Sequence, residues 1–487
     1  MTLNAERSAL NTVRTTAIRR VPSRVSASAS ASASASEAQA RGRTRDAAID
    51  AARAACLVVV FALHAMMVGV SVGAGGPVLE NALEQWDGFA AATWFVQIMP
   101  LFFVIGGYSA VSQWRRMHVR GADAAAYVRG RLARLVRPAI ALVAVVGVAL
   151  AVLTAAGLPA EVVATAGFRI GQPLWFLAVY LACTSLVPLM ARAHSRHPFA
   201  TLAVLLAVVV AVDVARMATG IDAIGFANLL AVWLLVQQGG FWLADGTVER
   251  MPRAARLVVA VAALGVLAAL TLAGPYSPDL LMNLNPPTVC LVVLGVAQLM
   301  LFSLARPALR RWAERPRPAR AIASFGEWGM TLYLWHMPAF IVLAGALLWL
   351  NEAVGLALLV PLEPEWWATR PIWLVAAAVV TAGIVRAFSR WERGDAAGRP
   401  SVGASAVVRA GSRDALRAPR PAIRGSARGR VGRIGRLARM RVPVGVAVVC
   451  GILGVGLVLV FGFGPWIALA ALVLLGFALR GSREPAA

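Results

Sequence analysis

Asp50, Arg53 and His64 are ionisable residues within one apolar stretch, 45–70, that is long enough to cross a bilayer. Ionisable side chains inside a membrane-spanning helix are costly and usually face a polar cavity. Arg53 and His64 are eleven residues apart, roughly three turns, so they share one helix face, with the imidazole about 16 Å beyond the cation. An imidazole titrates near neutral pH and can take a proton from an attacking hydroxyl, so this face predicts a functional site.

Each of these residues also has a purely structural interpretation. His64 alone could be a neutral imidazole hydrogen-bonded within a helix bundle, and Arg53 could extend its side chain to the aqueous interface. Asp50 precedes Arg53 by one turn, where it would pair with the guanidinium and hold it in place. The shared face of Arg53 and His64 favours the functional interpretation.

A second candidate is the arginine series in RGRLARLVRP, where Arg131, Arg134 and Arg137 recur at every third residue. Such residues stack on one helix face and repel each other unless an anion or a carboxylate lies between them. A guanidinium binds phosphate through paired hydrogen bonds. Anchoring at the cytoplasmic membrane surface also accounts for arginine here, although it does not require the repeat.

Other polar and aromatic residues stand in apolar segments. His336 lies in TLYLWHMP, where Pro338 should bend the helix and free a carbonyl oxygen for the imidazole. Trp175 lies in PLWFLAVYL at the start of the fourth predicted span, a position also typical of aromatic residues at a membrane interface. Amides that can bridge neighbouring helices are Gln237, Gln238 and Gln298.

The composition indicates an integral membrane protein, because 59% of the 487 residues are hydrophobic and 14% are charged. A soluble domain has about 45–50% apolar and about 25% charged residues. All 47 basic residues are arginines and the net charge is +24, which in a multi-span protein favours the lipid bilayer as partner over nucleic acid. The four cysteines are far apart and no zinc-binding or nucleotide-binding motif is found, so we expect no bound metal or cofactor.

Apolar runs predict an all-α fold, a polytopic membrane helix bundle of ten spans followed by two more. The predicted segments are 45–70, 91–112, 136–157, 174–190, 199–215, 226–244, 255–273, 287–305, 325–350 and 371–389, then 442–461 and 464–479. Odd-numbered connections among the first ten spans contain three arginines against nine acids, whereas the even-numbered ones are rich in arginine. Positive loops lie inside the cell, so we expect a plasma-membrane protein with both termini in the cytoplasm.

These segments divide the chain into four regions. Residues 1–45 include the tract SASASASASAS and are expected to be a disordered cytoplasmic tail, with an organellar transit peptide as the less favoured alternative. The ten-span core is 46–393. A basic cytoplasmic linker follows at 394–441, and 442–480 is a transmembrane hairpin.

In this order, Asp50-x2-Arg53-x10-His64, PLFFVIGGYSA, RLARLVRP, PLWFLAVYL and TLYLWHMP resemble the membrane proteins of acyltransferase family 3. The resemblance covers about 46–393. One departure is the pair Gly106-Gly107, where many members have Ser-Gly, so no role of that serine carries over.

The resemblance implies transfer of an acyl group, often acetyl, from acyl-CoA as co-substrate to a hydroxyl of an extracytoplasmic glycan, lipid or related molecule. It assigns His64 as the general base, with prior acylation of His64 as a variant route. The residues it implies for binding acyl-CoA are Arg53, Arg131 and Arg134, and those with supporting roles are Asp50, Trp175 and His336.

Two other functions compete with this one. A transporter of lipid-linked glycans or small solutes also has many helices with buried polar groups, but such proteins often contain internal repeats, and no obvious repeat relates the two halves here. A non-catalytic membrane scaffold would leave the pairing of Arg53 with His64 unexplained.

Overall fold

The computed structural model describes residues 46–73, 76–392 and 442–483, so the predicted tail 1–45 and linker 394–441 lie outside the described residues. Within the described ranges, eleven helices are long and apolar enough to cross a membrane, and a twelfth apolar helix is shorter. They are α1 (Ala47–Met67), α2 (Phe89–Val119), α3 (Ala124–Ala155), α4 (Ala160–Ser185), α5 (Pro198–Thr219), α6 (Asp222–Ala244), α7 (Arg253–Ala273), α8 (Val289–Ala313), α9 (Pro316–Val354), α10 (Pro364–Phe388), α11 (Val444–Phe461) and α12 (Pro465–Gly481). Short helices at Val187–Arg196 and Thr247–Arg250 connect α4 to α5 and α6 to α7.

The predicted fold class, an all-α polytopic bundle, is confirmed. A helix satisfies its own backbone groups, which is why long apolar runs form helices in a membrane. Some bounds differ from the prediction: α3 begins at Ala124, capped by Asp123, whose carboxylate accepts from the N–H of Ala126 (2.7 Å). The arginine series is therefore part of α3. Similarly, α4 begins within the predicted connection, at Ala160.

The interruption of α2 is closed by a side chain from another helix. α2 consists of Phe89–Val96 and Met99–Val119. The amide of Gln298 on α8 donates to the carbonyl oxygen of Gln97 (2.8 Å) and accepts from the N–H of Leu101 (2.8 Å). As predicted, Gln298 bridges two helices, and it satisfies backbone groups that the break leaves unpaired.

α4 is also interrupted, and the break faces α9. Its segments are Ala160–Gly171 and Leu174–Ser185, separated next to Pro173, which has no N–H to continue the helix. The hydroxyl of Tyr333 on α9 donates to the carbonyl oxygen of Pro173. The second segment therefore starts against the helix that carries His336.

A β-hairpin follows α1, which the sequence analysis did not predict. α1 ends at Met67, and β1 (Val68–Gly73) pairs antiparallel with β2 (Gly76–Asn81), with Val68 opposite Asn81. The β-branched residues of VGVSVG favour a strand, and two of them, Val68 and Val70, are buried. This hairpin defines one end of the bundle, which we call the hairpin end; the arginine-rich connections lie at the other, which we call the basic end.

The C-terminal hairpin of α11 and α12 packs on α3 and α4. A Cβ on Gly451 of α11 would lie 2.9 Å from the Leu181 side chain of α4 and 3.3 Å from that of Leu132 on α3. A Cβ on Gly147 of α3 would lie 2.9 Å from Ala468 of α12. Small residues let these helices approach closely, so the hairpin is an integral part of the bundle.

Candidate functional site

His64 on α1 and His336 on α9 form a direct contact between two imidazoles. Nδ1 of His64 lies 3.0 Å from Nε2 of His336, and the rings stack with centroids 5.1 Å apart. His336 is 1% exposed. The structure thus brings together two residues that are 272 positions apart in the sequence.

The hydrogen bonds determine which nitrogen of each imidazole carries the proton. Nδ1 of His336 lies 2.6 Å from the carbonyl oxygen of Tyr333, which can only accept, so this nitrogen donates. In a neutral ring Nε2 of His336 is then an acceptor, and Nδ1 of His64 donates to it. Nε2 of His64 keeps its lone pair, and no described residue bonds to it. Such a nitrogen can take a proton or attack an acyl carbon.

The carbonyl bonded by His336 is not the one that its proline frees. Pro338 lacks an N–H, which leaves the carbonyl of Leu334 without its helical partner. The imidazole instead bonds the carbonyl of Tyr333, one residue earlier.

Arg53 is held nearer the basic end on the same face of α1. Its Nη1 lies 3.2 Å from Oδ1 of Asp50, and its Nη2 donates to Oγ of Ser109 on α2 (2.7 Å). The Arg53 and Asp50 side chains are 29% and 21% exposed. The expected pairing of Asp50 with Arg53 is present, and the bond to Ser109 fixes the guanidinium against a second helix.

Arg131 lies half-buried on α3 with unused hydrogen-bonding capacity. Its guanidinium carbon is 5.4 Å from the centre of the Tyr127 ring, and its Nε is buried without a hydrogen-bond partner in the described structure. Buried donors normally have partners, so this guanidinium is suited to an anionic ligand. Arg134 is exposed one turn further along α3.

Packed rings connect the histidine pair with α4. His336 lies against Tyr333 (centroids 5.9 Å apart), Tyr333 against Phe176 of α4 (5.1 Å), and Phe176 against Tyr180 (5.3 Å). A Cβ on Gly106 of α2 would lie 3.3 Å from the Tyr180 ring. The glycine therefore leaves room for the tyrosine ring at this position.

Trp175 joins the same aromatic cluster without contacting the histidines. Its ring lies 5.9 Å from that of Trp233 on α6, which stacks on Phe103 of α2 at 4.4 Å. Trp175 thus packs against the core.

A half-open apolar cavity of about 480 Å³ lies between α1, α9 and α10, and neither His64 nor His336 is part of its described lining. Its lining includes Phe61 and Leu332, which precede His64 and His336 by three and four residues, about one helical turn. It also includes Thr381, whose hydroxyl is buried without a hydrogen-bond partner in the described structure. A cavity of this size and polarity can hold a hydrocarbon chain.

Comparison with protein families now adds to this geometry. The acyltransferase domain of acyltransferase family 3 matches residues 46–389, more than half of the chain. The chain belongs to this acyltransferase family. Neither curated proteins nor solved structures yield a match. The protein is therefore a multi-pass membrane acyltransferase, as predicted.

The acyltransferase has a second buried polar cluster, at the basic end, that the sequence analysis missed. Nδ1 and Nε2 of His194 lie 2.8 Å from Oε1 of Gln238 and 2.8 Å from Oδ2 of Asp245, and Arg115 bonds the other carboxylate oxygen. Partial burial would raise the pKa of Asp245, but the hydrogen bonds from Arg115 and His194 outweigh it and hold this pKa below its usual value. The cluster joins α2 to the end of α6 and confirms that Gln238 bridges helices.

Ser109, Tyr180 and Tyr333 are the acyltransferase residues near the predicted site that the sequence analysis did not select. Ser109 and Tyr180 stand inside two of the quoted motifs, PLFFVIGGYSA and PLWFLAVYL, and Tyr333 inside TLYLWHMP, so the motifs themselves contained the signal. No group of three or more metal-binding side chains is found in the part of the chain that the structure describes.

Proposed function

We propose that this acyltransferase moves an acyl group, acetyl or another short one, from acyl-CoA to a hydroxyl of an extracytoplasmic glycan, glycolipid or related small molecule, with His64 as general base. The observation that carries the proposal is the lone pair left on Nε2 of His64 by its contact with His336.

The transfer step needs one base. As the acceptor oxygen attacks the thioester carbon, its proton passes to Nε2 of His64, and the new C–O bond forms. The C–S bond then breaks, and the proton on His64 passes to the departing thiolate. Proton transfer of this kind contributes about 10² to 10⁴ in rate. His336 holds the ring of His64 in the tautomer that this step uses.

Donor binding is assigned to arginines near the basic end. The phosphates of acyl-CoA would bind Arg131, which has a buried unpartnered N–H, together with Arg134 and Arg53. The flexible arm of acyl-CoA would extend into the bundle towards His64. The apolar cavity beside Phe61 and Leu332 offers room for the acyl group.

The proposed orientation follows from the loops. We place the basic end and both termini in the cytoplasm of a cell whose plasma membrane holds the protein, because arginine-rich connections remain inside. The acyl-CoA phosphates would then be bound from the side where acyl-CoA is made, and the acceptor would approach from the hairpin end.

Transport of a lipid-linked glycan or small solute is the second candidate function. Its support is limited to the interrupted helices α2 and α4, since transporters often have broken helices at their binding sites. The breaks here are closed by Gln298 and Tyr333 and leave less unpaired backbone for a ligand.

The test is acyl transfer in membranes that contain the protein, supplied with labelled acetyl-CoA or longer acyl-CoAs. His64→Ala at matched membrane abundance is the comparison. We expect label on a glycan or lipid only when His64 is present. Equal transfer by the variant would refute the assignment of His64, and donor-independent solute flux that persists in the variant would favour transport.

A further inference from the structure

The groove beside Arg370 has a different chemistry from the proposed acyl-transfer site. It is a half-open cavity of about 400 Å³ at the hairpin end, between β1, α9 and α10. Aliphatic side chains form most of its wall, including Leu343, Leu347 and Leu350, which recur on one face of α9. Among the described residues that line it, Arg370 of α10 is the only charged one.

Arg370 is held rigidly by two tryptophans. Its guanidinium carbon lies 4.0 Å from the centre of the Trp366 ring and 5.4 Å from that of Trp373, and its Nε donates to the carbonyl oxygen of Trp366 (3.2 Å). Both indoles are buried, and Trp373 donates to the carbonyl oxygen of Ala65 on α1 (2.8 Å). The cation is therefore fixed in place, whereas an arginine that merely reaches the interface is free to move.

The guanidinium of Arg370 has donors left for a ligand. Among the described residues, no carboxylate forms an ion pair with it and no acceptor bonds its two Nη atoms. Four N–H groups therefore have no acceptor among the described residues. They lie in one plane, the arrangement that binds phosphate oxygens in pairs. A fixed cation at one end of an aliphatic groove matches a ligand with an anionic head and a hydrocarbon chain.

We propose that this groove binds an anionic phospholipid, with the phosphate on Arg370 and one acyl chain along the α9 leucines. Arg370 lies in the second turn of the apolar helix α10, and the end of a membrane-spanning helix is the level at which phospholipid headgroups are found. Free phosphate would bind the guanidinium of Arg370, but it would leave the aliphatic wall of the groove in contact with water. The site is separate from His64 and does not depend on acyl transfer.

The test is photocrosslinking of the full-length protein in phosphatidylcholine vesicles that contain a minor amount of photoactivatable phosphatidylglycerol. Labelled peptides are identified by mass spectrometry. We expect label on α9 and α10 residues of the groove, exceeding that from photoactivatable phosphatidylcholine. Arg370→Gln should lower this labelling about tenfold or more, because a hydrogen bond to a charged group contributes about 1.5–3 kcal/mol.

Two further variants separate lipid binding from general damage. Arg169→Gln removes another hairpin-end arginine, which bonds the carbonyl oxygen of Leu79 and does not line the groove, so labelling should stay unchanged. Ala346→Trp fills the groove but keeps Arg370, and should reduce labelling as Arg370→Gln does. Equal labelling by the two lipids, or labelling that Arg370→Gln leaves unchanged in a folded protein, would overturn the proposal.

Discussion

Nδ1 of His64 lies 3.0 Å from Nε2 of His336, and Nδ1 of His336 is in turn 2.6 Å from a backbone carbonyl oxygen. This order of donors and acceptors gives the rings different tasks. His336 holds a tautomer, and His64 presents a basic nitrogen. In many sites a carboxylate or a carbonyl orients the histidine directly. Here the backbone carbonyl orients His336, and the neutral imidazole of His336 in turn orients His64.

The first prediction concerns His336. Its replacement by Phe should lower kcat about 10- to 100-fold, because His64 loses the acceptor that fixes its tautomer, while KM for acyl-CoA changes little. His336→Gln can still offer an amide oxygen to Nδ1 of His64, so it should retain more activity than His336→Phe. Steady-state kinetics with the two variants provide the measurement. Equal kcat values for the two variants would show that a hydrogen-bond acceptor for Nδ1 of His64 does not determine the rate.

The second prediction concerns the arginines that we assign to acyl-CoA. Arg131→Ala should raise KM for acyl-CoA about tenfold or more and change kcat less, because a charge-assisted bond to a phosphate contributes about 1.5–3 kcal/mol. The increase should shrink at high salt, which weakens exposed charge interactions. Arg120→Ala is the control, since Arg120 is an exposed arginine at the basic end that bonds the carbonyl oxygen of Arg116 and has no assigned role in donor binding. A KM equal to wild type in Arg131→Ala would contradict the phosphate assignment.

The sequence predicted those features of the structure that depend on residues close together in the chain. Hydropathy predicted the twelve apolar helices, of which eleven in the described residues are long enough to cross a membrane, and the one-turn spacing of Asp50 and Arg53 predicted their contact. The β-hairpin was missed because 45–70 was read as continuous apolar helix, although the alternating valines after Met67 favour a strand.

The sequence did not predict which side chains of distant helices are in contact. His64 meets His336, and Arg53 meets Ser109, because packing places particular faces of α1, α2 and α9 together. Hydrophobic periodicity identifies a buried face but not its partner, since many helix orders bury the same apolar area. The motifs identified the segments that contain the candidate site, whereas only the structure shows which side-chain atoms are in contact.

The third prediction is a pH dependence at the basic end. Hydrogen bonds from Arg115 and His194 lower the pKa of Asp245 in the folded protein. A carboxyl with a depressed folded pKa contributes stability that is fully present above its unfolded value, near 3.8, and is lost as the pH falls through the folded value. The purified protein should therefore unfold at a higher temperature than Asp245→Asn at neutral pH. The difference should decrease below about pH 4, and a constant difference across that range would contradict the assignment.

The fourth prediction concerns Asp213, which is 1% exposed near the hairpin end of α5. Its carboxylate accepts from Asn228 (2.9 Å), the hydroxyl of Tyr276 (2.9 Å) and the N–H of Val289 (2.9 Å). Burial and the neighbouring carboxylate raise the pKa of Tyr276, so the phenol remains a donor. Asp213→Ala should destabilise the protein by about 1–3 kcal/mol, because it removes the acceptor shared by Asn228, Tyr276 and Val289. Thermal unfolding provides the measurement, with Asp222→Asn, an exposed carboxyl, as the control that should differ little from wild type.

The fifth prediction addresses the C-terminal hairpin, which lies outside the region matched by the acyltransferase family. Gly451→Leu would press on Leu132 and Leu181, and an overpacked core typically costs about 1–3 kcal/mol. Leu132 is adjacent to Arg131, so the same variant should raise KM for acyl-CoA. Gly456→Leu lies on the same helix with no atom near the added side chain, and it should leave both quantities unchanged or slightly increase stability, since leucine favours helix more than glycine. If Gly451→Leu lowered stability without altering KM, the hairpin would support the bundle but not the position of the donor-binding helix.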